Sequence, residues 1–194
     1  MKRLITSALA LVLAVSLTAC SGAAGFAQDA DFSSAIESTR EEELNQAFPI
    51  VDYTAGGEPV LSLNPNGMSK EEAASYAQMV ADTIGLDGSL FERYSVSASL
   101  IITQAYAVGV FRPAEGCEED ALDAVNSYVD NVKKSFENYL PDQYDIAKQA
   151  VVRQYSSGEI LLVLCENAPQ QADALEKALS EYHNPTLNVG FAKR

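Results

Sequence analysis

Residues 94–111 read YSVSASLIITQAYAVGVF, and this stretch decides the fold. In the first half, Tyr94–Thr103, apolar residues alternate with small polar ones, which is typical of a strand with one buried face. The second half, Ala105–Phe111, is apolar almost throughout, which predicts a central strand covered on both faces. Pro113 and Gly116 then end that strand. The two strands predict a sheet at the centre of the protein.

Helical patterns flank these two strands. Ser69 with Glu72 has the form of a capping box, and Gly85 suits the left-handed position that ends a helix, so we predict a helix over 69–84. A longer helix is predicted from Glu118 to Tyr139, because one apolar stripe recurs at helical spacing. It has acids in its first turns and lysines near its end, as the helix dipole favours, and Pro141 is expected to stop it.

The C-terminal part predicts a second strand pair and a last helix. The strands are Ala150–Tyr155 and Glu159–Cys165, and Asn167 is expected to cap the helix. The predicted fold is therefore α+β: a mixed sheet of about four strands in ββαββα order, with helices packed on one face. A right-handed crossover would make the second and third strands parallel neighbours.

The N-terminal third carries weaker signals. Residues 20–47 are predicted to be a lipidated cysteine and a flexible tether with a short helix at 35–47, and residues 48–194 a single α+β domain. Turn residues crowd positions 50–67, where Val60–Leu63 is expected to form one short strand.

The first twenty residues have the pattern of a lipoprotein signal. Lys2 and Arg3 precede an apolar run that is too short to span a bilayer, and Leu17-Thr18-Ala19-Cys20 has the form of a lipobox. We therefore predict that residues 1–19 are a signal peptide and that Cys20 receives a diacylglycerol. The expected location is the extracytoplasmic face of the cell membrane, held by that lipid anchor. An ordinary secretory signal is the alternative.

The net negative charge of the chain argues against some classes of binding partner. The chain has 13 Lys and Arg against 27 Asp and Glu, a net charge of −14. Residues 1–19 contain two bases and no acid, so their removal would make it −16. Such a surface argues against nucleic acid as a partner and against adsorption on anionic lipid.

No catalytic or metal-binding motif is present. The sequence lacks a phosphate loop, a GxSxG elbow, an HExxH helix and a CxxC pair, and its one histidine is His183. We therefore expect no enzyme activity, no cofactor and no metal. Cys117 and Cys165 fall at opposite ends of the predicted sheet, which favours two free thiols over a disulfide.

One segment after the long helix is a candidate recognition loop. It contains Tyr139, Asp142, Gln143 and Tyr144, which combine two phenols, a carboxylate and an amide. Loops of this composition can form recognition surfaces, although an ordinary turn with packed tyrosine rings has the same composition.

Several of these features together resemble domain-of-unknown-function family 4358. They are the lipobox, the strand pair before the long helix, Phe136–Gln143, Ala150–Arg153 and the turn into Ile160–Val163. The similarity covers roughly residues 70–182, and the resemblance implies a membrane-anchored protein of Firmicutes. The family's hairpin usually contains Gly-Asn-Tyr, whereas this chain has Ser157-Gly158-Glu159. The family has no assigned activity, so the resemblance implies no catalytic residues.

Two functions fit these observations. The first is a lipid-anchored, non-enzymatic module that binds another envelope protein, which would require an exposed apolar patch. The second is a small-solute or ion-binding lipoprotein that serves a transporter, which would require a concave pocket with converging polar groups.

Overall fold

A computed structural model describes residues 25–181, in which six strands form one fully antiparallel sheet. Their order across the sheet is β2-β1-β3-β4-β6-β5. The strands are β1 (Ile50–Thr54), β2 (Val60–Leu63), β3 (Phe91–Ala98), β4 (Ala107–Pro113), β5 (Val151–Gln154) and β6 (Ile160–Leu164).

Helices cover both faces of this sheet. They are α1 (Phe32–Thr39), α2 (Glu42–Ala47), α3 (Lys70–Ile84), α4 (Glu118–Phe136), α5 (Pro141–Lys148) and α6 (Ala168–Glu181), with a short 3-10 turn at Gly88–Leu90. Helices α3, α4 and α5 pack on one face, and α1 and α6 pack on the other. We name the second one the α1/α6 face. The prediction of helices on one face only is wrong, because β4 and β6 are apolar on both sides and need cover on both.

The predicted parallel pairing is also wrong, although the α+β class is right. The crossover through α4 and α5 leads to β5 at the edge of the sheet, and β6 returns to lie antiparallel beside β4. The burial of the two strands explains why β6 lies inside the sheet and β5 at its edge. Every residue of β6 is buried, whereas β5 is only partly buried and tolerates an edge.

The central hairpin agrees with the sequence pattern except at its turn. β3 and β4 pair from Phe91↔Pro113 to Ala98↔Ala107. β3 ends at Ala98. The prediction that Leu100 and Ile102 belong to the strand is therefore wrong, and Ile102 is 83% exposed. The Ser99 hydroxyl accepts a hydrogen bond from the Ile101 amide at 3.1 Å, which bends the chain into a loop.

Local signals placed several helix ends correctly. α3 has both capping-box hydrogen bonds between Ser69 and Glu72, and Gly85 has a left-handed φ of +76°. α4 ends at Phe136, and Pro141 begins α5 instead of simply stopping α4. A proline suits the first turn of a helix because its missing N–H needs no partner there.

The prediction of a flexible tether is wrong for the described part of the N-terminal segment, which packs on the α1/α6 face. Phe26, Ala30 and Phe32 are buried on the α1/α6 face, and Phe26 packs on Tyr155 with ring centroids 4.5 Å apart. The two phenylalanines give this segment enough apolar surface to order it. Residues 35–47 form parts of two helices instead of one, and 50–54 form a strand that was not predicted. The lipobox, Cys20, His183 and the C-terminal tail lie outside the described residues.

Candidate functional site

A cavity of about 460 Å³ opens at the end of the sheet where β4 begins and β6 ends. Its lining includes residues of α2 and the start of α6 from one side of the sheet and residues of α5 from the other. Its wall combines one base, three acids, five side-chain amides and six apolar or weakly polar residues: Arg40, Glu41, Glu43, Leu44, Gln104, Ala105, Tyr106, Val108, Gln143, Ile146, Cys165, Glu166, Asn167, Gln170 and Gln171.

Arg40 is the most deeply buried charge of this wall. It sits at the break between α1 and α2, where its extended backbone ends the first helix. The residue is 7% exposed. Its Nη1 donates to the Ser97 hydroxyl at 2.7 Å and to the Tyr106 hydroxyl at 3.1 Å. Its Nη2 donates to the Phe48 carbonyl at 2.8 Å, and its Nε donates to the Asn45 side chain.

All of these acceptors are neutral. The four bonds engage four of the five guanidinium hydrogens, and the fifth, on Nη2, has no acceptor among the described residues. Within residues 25–181 no carboxylate forms an ion pair with Arg40. A buried cation without a counter-ion costs several kcal/mol, so this end of the protein favours an added negative group.

The remaining inner wall is neutral at ordinary pH. Burial raises the pKa of the Tyr106 hydroxyl above its usual range. Burial, together with the nearby Glu166, raises the pKa of the Cys165 thiol to about 11. Cys165 therefore remains a protonated thiol at neutral pH and is a poor nucleophile.

Two glutamine side chains are fixed in the wall by hydrogen bonds. The Gln143 side-chain oxygen accepts from the Ala105 amide at 2.7 Å, and Gln171 donates to the Thr39 hydroxyl at 3.3 Å. Asn167 adopts a left-handed φ of +57° immediately before α6, so that the first turn of this helix borders the cavity. The wall thus has ordered neutral donors and acceptors around a single buried positive charge.

The predicted recognition residues divide among different environments. Gln143 lines the cavity, whereas Tyr144 packs against the core beneath Lys148. Tyr139 and Asp142 are exposed. The segment is not the loop that we predicted, because residues 141–148 form α5. Whether these residues recognise a ligand stays a prediction.

A separate apolar tip lies in the loop between β3 and β4. Ile101 is 60% exposed, and Ile102 is 83% exposed. Both line a small cleft with Phe136 at the end of α4, and the exposed Tyr139 follows three residues later in the chain. We call Ile101 and Ile102 the apolar tip.

The two cysteines are free thiols at opposite ends of the sheet, in agreement with the prediction. Cys117 follows β4, whereas Cys165 follows β6 beside the start of β4. Between residues 25 and 181 no three His, Cys, Asp or Glu side chains are grouped as metal ligands would be. In the same part of the chain, no helix combines the length and apolarity needed to cross a membrane.

Comparison with known proteins gives one match. The model of a family described as Domain of unknown function (DUF4358) matches residues 66–165, slightly more than half of the chain. The chain belongs to the DUF4358 family. No curated protein and no solved structure matched it. The DUF4358 match spans α3 to β6 and leaves out α1, α2 and α6, so Arg40 and the first turn of α6 lie beyond it.

Sequence reasoning missed Arg40 as a site residue. One signal was available: Arg40 is the only base between Arg3 and Lys70, and the three acids Glu41, Glu42 and Glu43 follow it directly. However, a lone base in an acidic segment does not indicate whether its side chain is buried. Its burial depends on α6 and the sheet closing over it, which are far away in sequence.

Proposed function

We propose that this DUF4358 protein is a binding protein for a small solute that carries a carboxylate, with its site in the Arg40 cavity. The observation that supports the proposal most directly is the buried guanidinium of Arg40, which lines the cavity and has only neutral hydrogen-bond partners in the described part of the chain. A carboxylate is the planar acceptor that matches a guanidinium best.

The cavity has the size and composition of a solute site. Its volume of about 460 Å³ falls within the range of about 300–1,000 Å³ that is usual for small-molecule pockets. Val108, Leu44 and Ile146 offer apolar contacts, and the glutamine amides offer hydrogen bonds that can fix an orientation. A protonated Cys165 and a neutral Tyr106 support binding rather than covalent chemistry.

The anchor belongs to the same proposal. We infer from the lipobox that Cys20 is lipidated and that the domain is held at the extracytoplasmic face of the membrane. There it would capture a solute and present it to a membrane transporter. Lipidation is tested by metabolic labelling with a fatty-acid analogue, which a Cys20→Ala variant should not incorporate.

Solute binding is tested by thermal unfolding of the protein with a panel of small carboxylates. A ligand at 100 times its dissociation constant stabilises the fold by about 2.7 kcal/mol and raises Tm. Arg40→Met should abolish the shift, whereas Arg153→Met should retain it, because Arg153 pairs with Asp173 and Glu176 outside the cavity. A panel without any stabilising member would contradict the proposal, as would equal shifts in both variants.

The apolar tip favours a second function, a protein-interaction module. Two large apolar side chains, Ile101 and Ile102, are exposed next to each other in the β3–β4 loop, and exposed apolar patches are common at protein interfaces. In-cell crosslinking of the wild type and an Ile101→Ser/Ile102→Ser variant tests this function. One dominant partner that the variant loses would support it, whereas an unchanged crosslinking pattern would contradict it.

A further inference from the structure

The charges of the Arg40 cavity are separated by depth. Arg40 is buried in its wall and is the one base among the described residues that line it. Glu41, Glu43 and Glu166 also line it, and all three are exposed. A solute in this cavity would therefore meet positive charge inside and negative charge at the mouth.

This arrangement selects against multiply charged anions. A phosphate or a dicarboxylate would gain from Arg40 but would be repelled by three carboxylates at the mouth. In a partly buried setting opposite charges attract more strongly than in bulk water, and like charges repel more strongly. One carboxylate directed inward and one ammonium group directed outward would satisfy both regions.

We propose that the ligand is a small zwitterion of the amino-acid type, with its carboxylate on Arg40 and its ammonium group among Glu41, Glu43 and Glu166. This inference rests on the proposed function, because it assigns a ligand class to the same cavity. The glutamine amides and the apolar side chains also line the cavity and would contact the solute's uncharged part.

Calorimetric titration of the full-length protein with three matched series tests the ligand class. Free amino acids carry both charges, N-acetyl amino acids lose the ammonium charge, and amino-acid amides lose the carboxylate. We expect the free amino acids to bind and each modified series to bind at least about tenfold more weakly, which corresponds to about 1.4 kcal/mol. Dipeptides added as a fourth series distinguish a single amino acid from a short peptide.

The acidic run itself supplies a matched control. Glu41 and Glu43 line the cavity, whereas Glu42 lies between them in sequence and does not. A Glu41→Gln/Glu43→Gln variant should bind free amino acids about 3–10 times more weakly and N-acetyl amino acids no more weakly than the wild type does. A Glu42→Gln variant should match the wild type. All three residues are exposed, so the folds should be preserved.

The outcomes separate the two proposals. N-acetyl amino acids that bind as tightly as free amino acids would overturn the zwitterion and leave the carboxylate-binding function intact. Equal affinity of the Glu42→Gln and Glu41→Gln/Glu43→Gln variants for free amino acids would also overturn it. No binding by any carboxylate in the panel would overturn both proposals.

Discussion

Within residues 25–181, two arginines are buried against the α1/α6 face of the sheet, and their charges meet different surroundings. Arg112, near the end of β4, donates from Nη2 to a Glu159 oxygen at 3.0 Å and to the Ala27 carbonyl at 2.9 Å. Arg40 contacts Tyr106 just before β4, and its hydrogen bonds within residues 25–181 all go to neutral oxygens. The six residue-to-residue steps from 106 to 112 separate these regions by about 20 Å along the strand.

This difference suggests that Arg112 stabilises the fold, whereas Arg40 is available to bind a ligand. The Arg112 region is closed, because Ala27 and Gln28 of the N-terminal segment supply carbonyls to the guanidinium and Ser157 donates to the second Glu159 oxygen. Four of the five guanidinium hydrogens of Arg112 are bonded, as for Arg40, but here one acceptor is the carboxylate of Glu159, which supplies the counter-charge. The Arg40 region opens into a cavity, and among the described residues no carboxylate pairs with Arg40. A cation left in this state is suited to an external anion.

The largest effect is expected from breaking the closed pair. Glu159→Gln keeps the shape of the side chain but leaves Arg112 buried without its counter-charge, so the free energy of unfolding should fall by about 3 kcal/mol. Urea unfolding at pH 7 measures it. The control is Glu176→Gln, which breaks the half-exposed pair with Arg153 and should cost less than about 1 kcal/mol. Equal losses would mean that burial adds nothing to the Arg112 pair.

A smaller effect is expected at the open end. Arg40→Met removes four hydrogen bonds to neutral groups but also removes an uncompensated buried charge, and these contributions oppose each other. We therefore expect the ligand-free protein to lose only about 1 kcal/mol of unfolding free energy, clearly less than Glu159→Gln loses. The same urea titration measures it. A loss as large as that of Glu159→Gln would make Arg40 a structural cation and would weaken the case for a ligand.

The two regions also differ in what sequence could predict. Local patterns located β4, β6, α3 and α4, because spacing and capping residues depend on near neighbours in the chain. They did not give the strand order, because β6 reaches its place beside β4 only after β5 takes the edge. They also misassigned Phe26–Ala35, whose order comes from packing on Tyr155 and α6. The burial of Arg40 likewise depends on contacts between residues far apart in sequence, so only the three-dimensional structure shows it.

Asp52 tests how a partly buried carboxylate on the α1/α6 face affects the stability of the protein. Burial raises the pKa of its carboxyl group, and one carboxyl oxygen has no hydrogen-bond partner among the described residues. Because the folded pKa lies above the unfolded value of about 3.9, the wild type loses stability as pH rises from there through the folded pKa. Asp52→Asn should therefore be more stable than the wild type at pH 7, and this advantage should vanish near pH 3.

Thermal unfolding between pH 3 and pH 8 measures the Asp52 effect. Asp87→Asn is a suitable control, because hydrogen bonds from Ser89 lower the pKa of that exposed carboxyl group. Its substitution should not stabilise the protein at pH 7. A Tm difference between Asp52→Asn and the wild type that is constant across the range would show that the carboxyl's titration is not the cause.

The smallest effect concerns thiol chemistry at the open end. Because the pKa of Cys165 is about 11, only about one thiol in a thousand is ionised at pH 8, and its alkylation should be slow. In a Cys20→Ser/Cys117→Ser variant the iodoacetamide rate should rise about tenfold per pH unit and level off near pH 11. A bound carboxylate should slow it further, since Cys165 and Arg40 share one cavity wall. A rate that levels off below pH 9 would contradict the burial of the thiol. A rate that a stabilising carboxylate leaves unchanged would place the ligand outside the cavity and return Arg40 to the same structural role as Arg112.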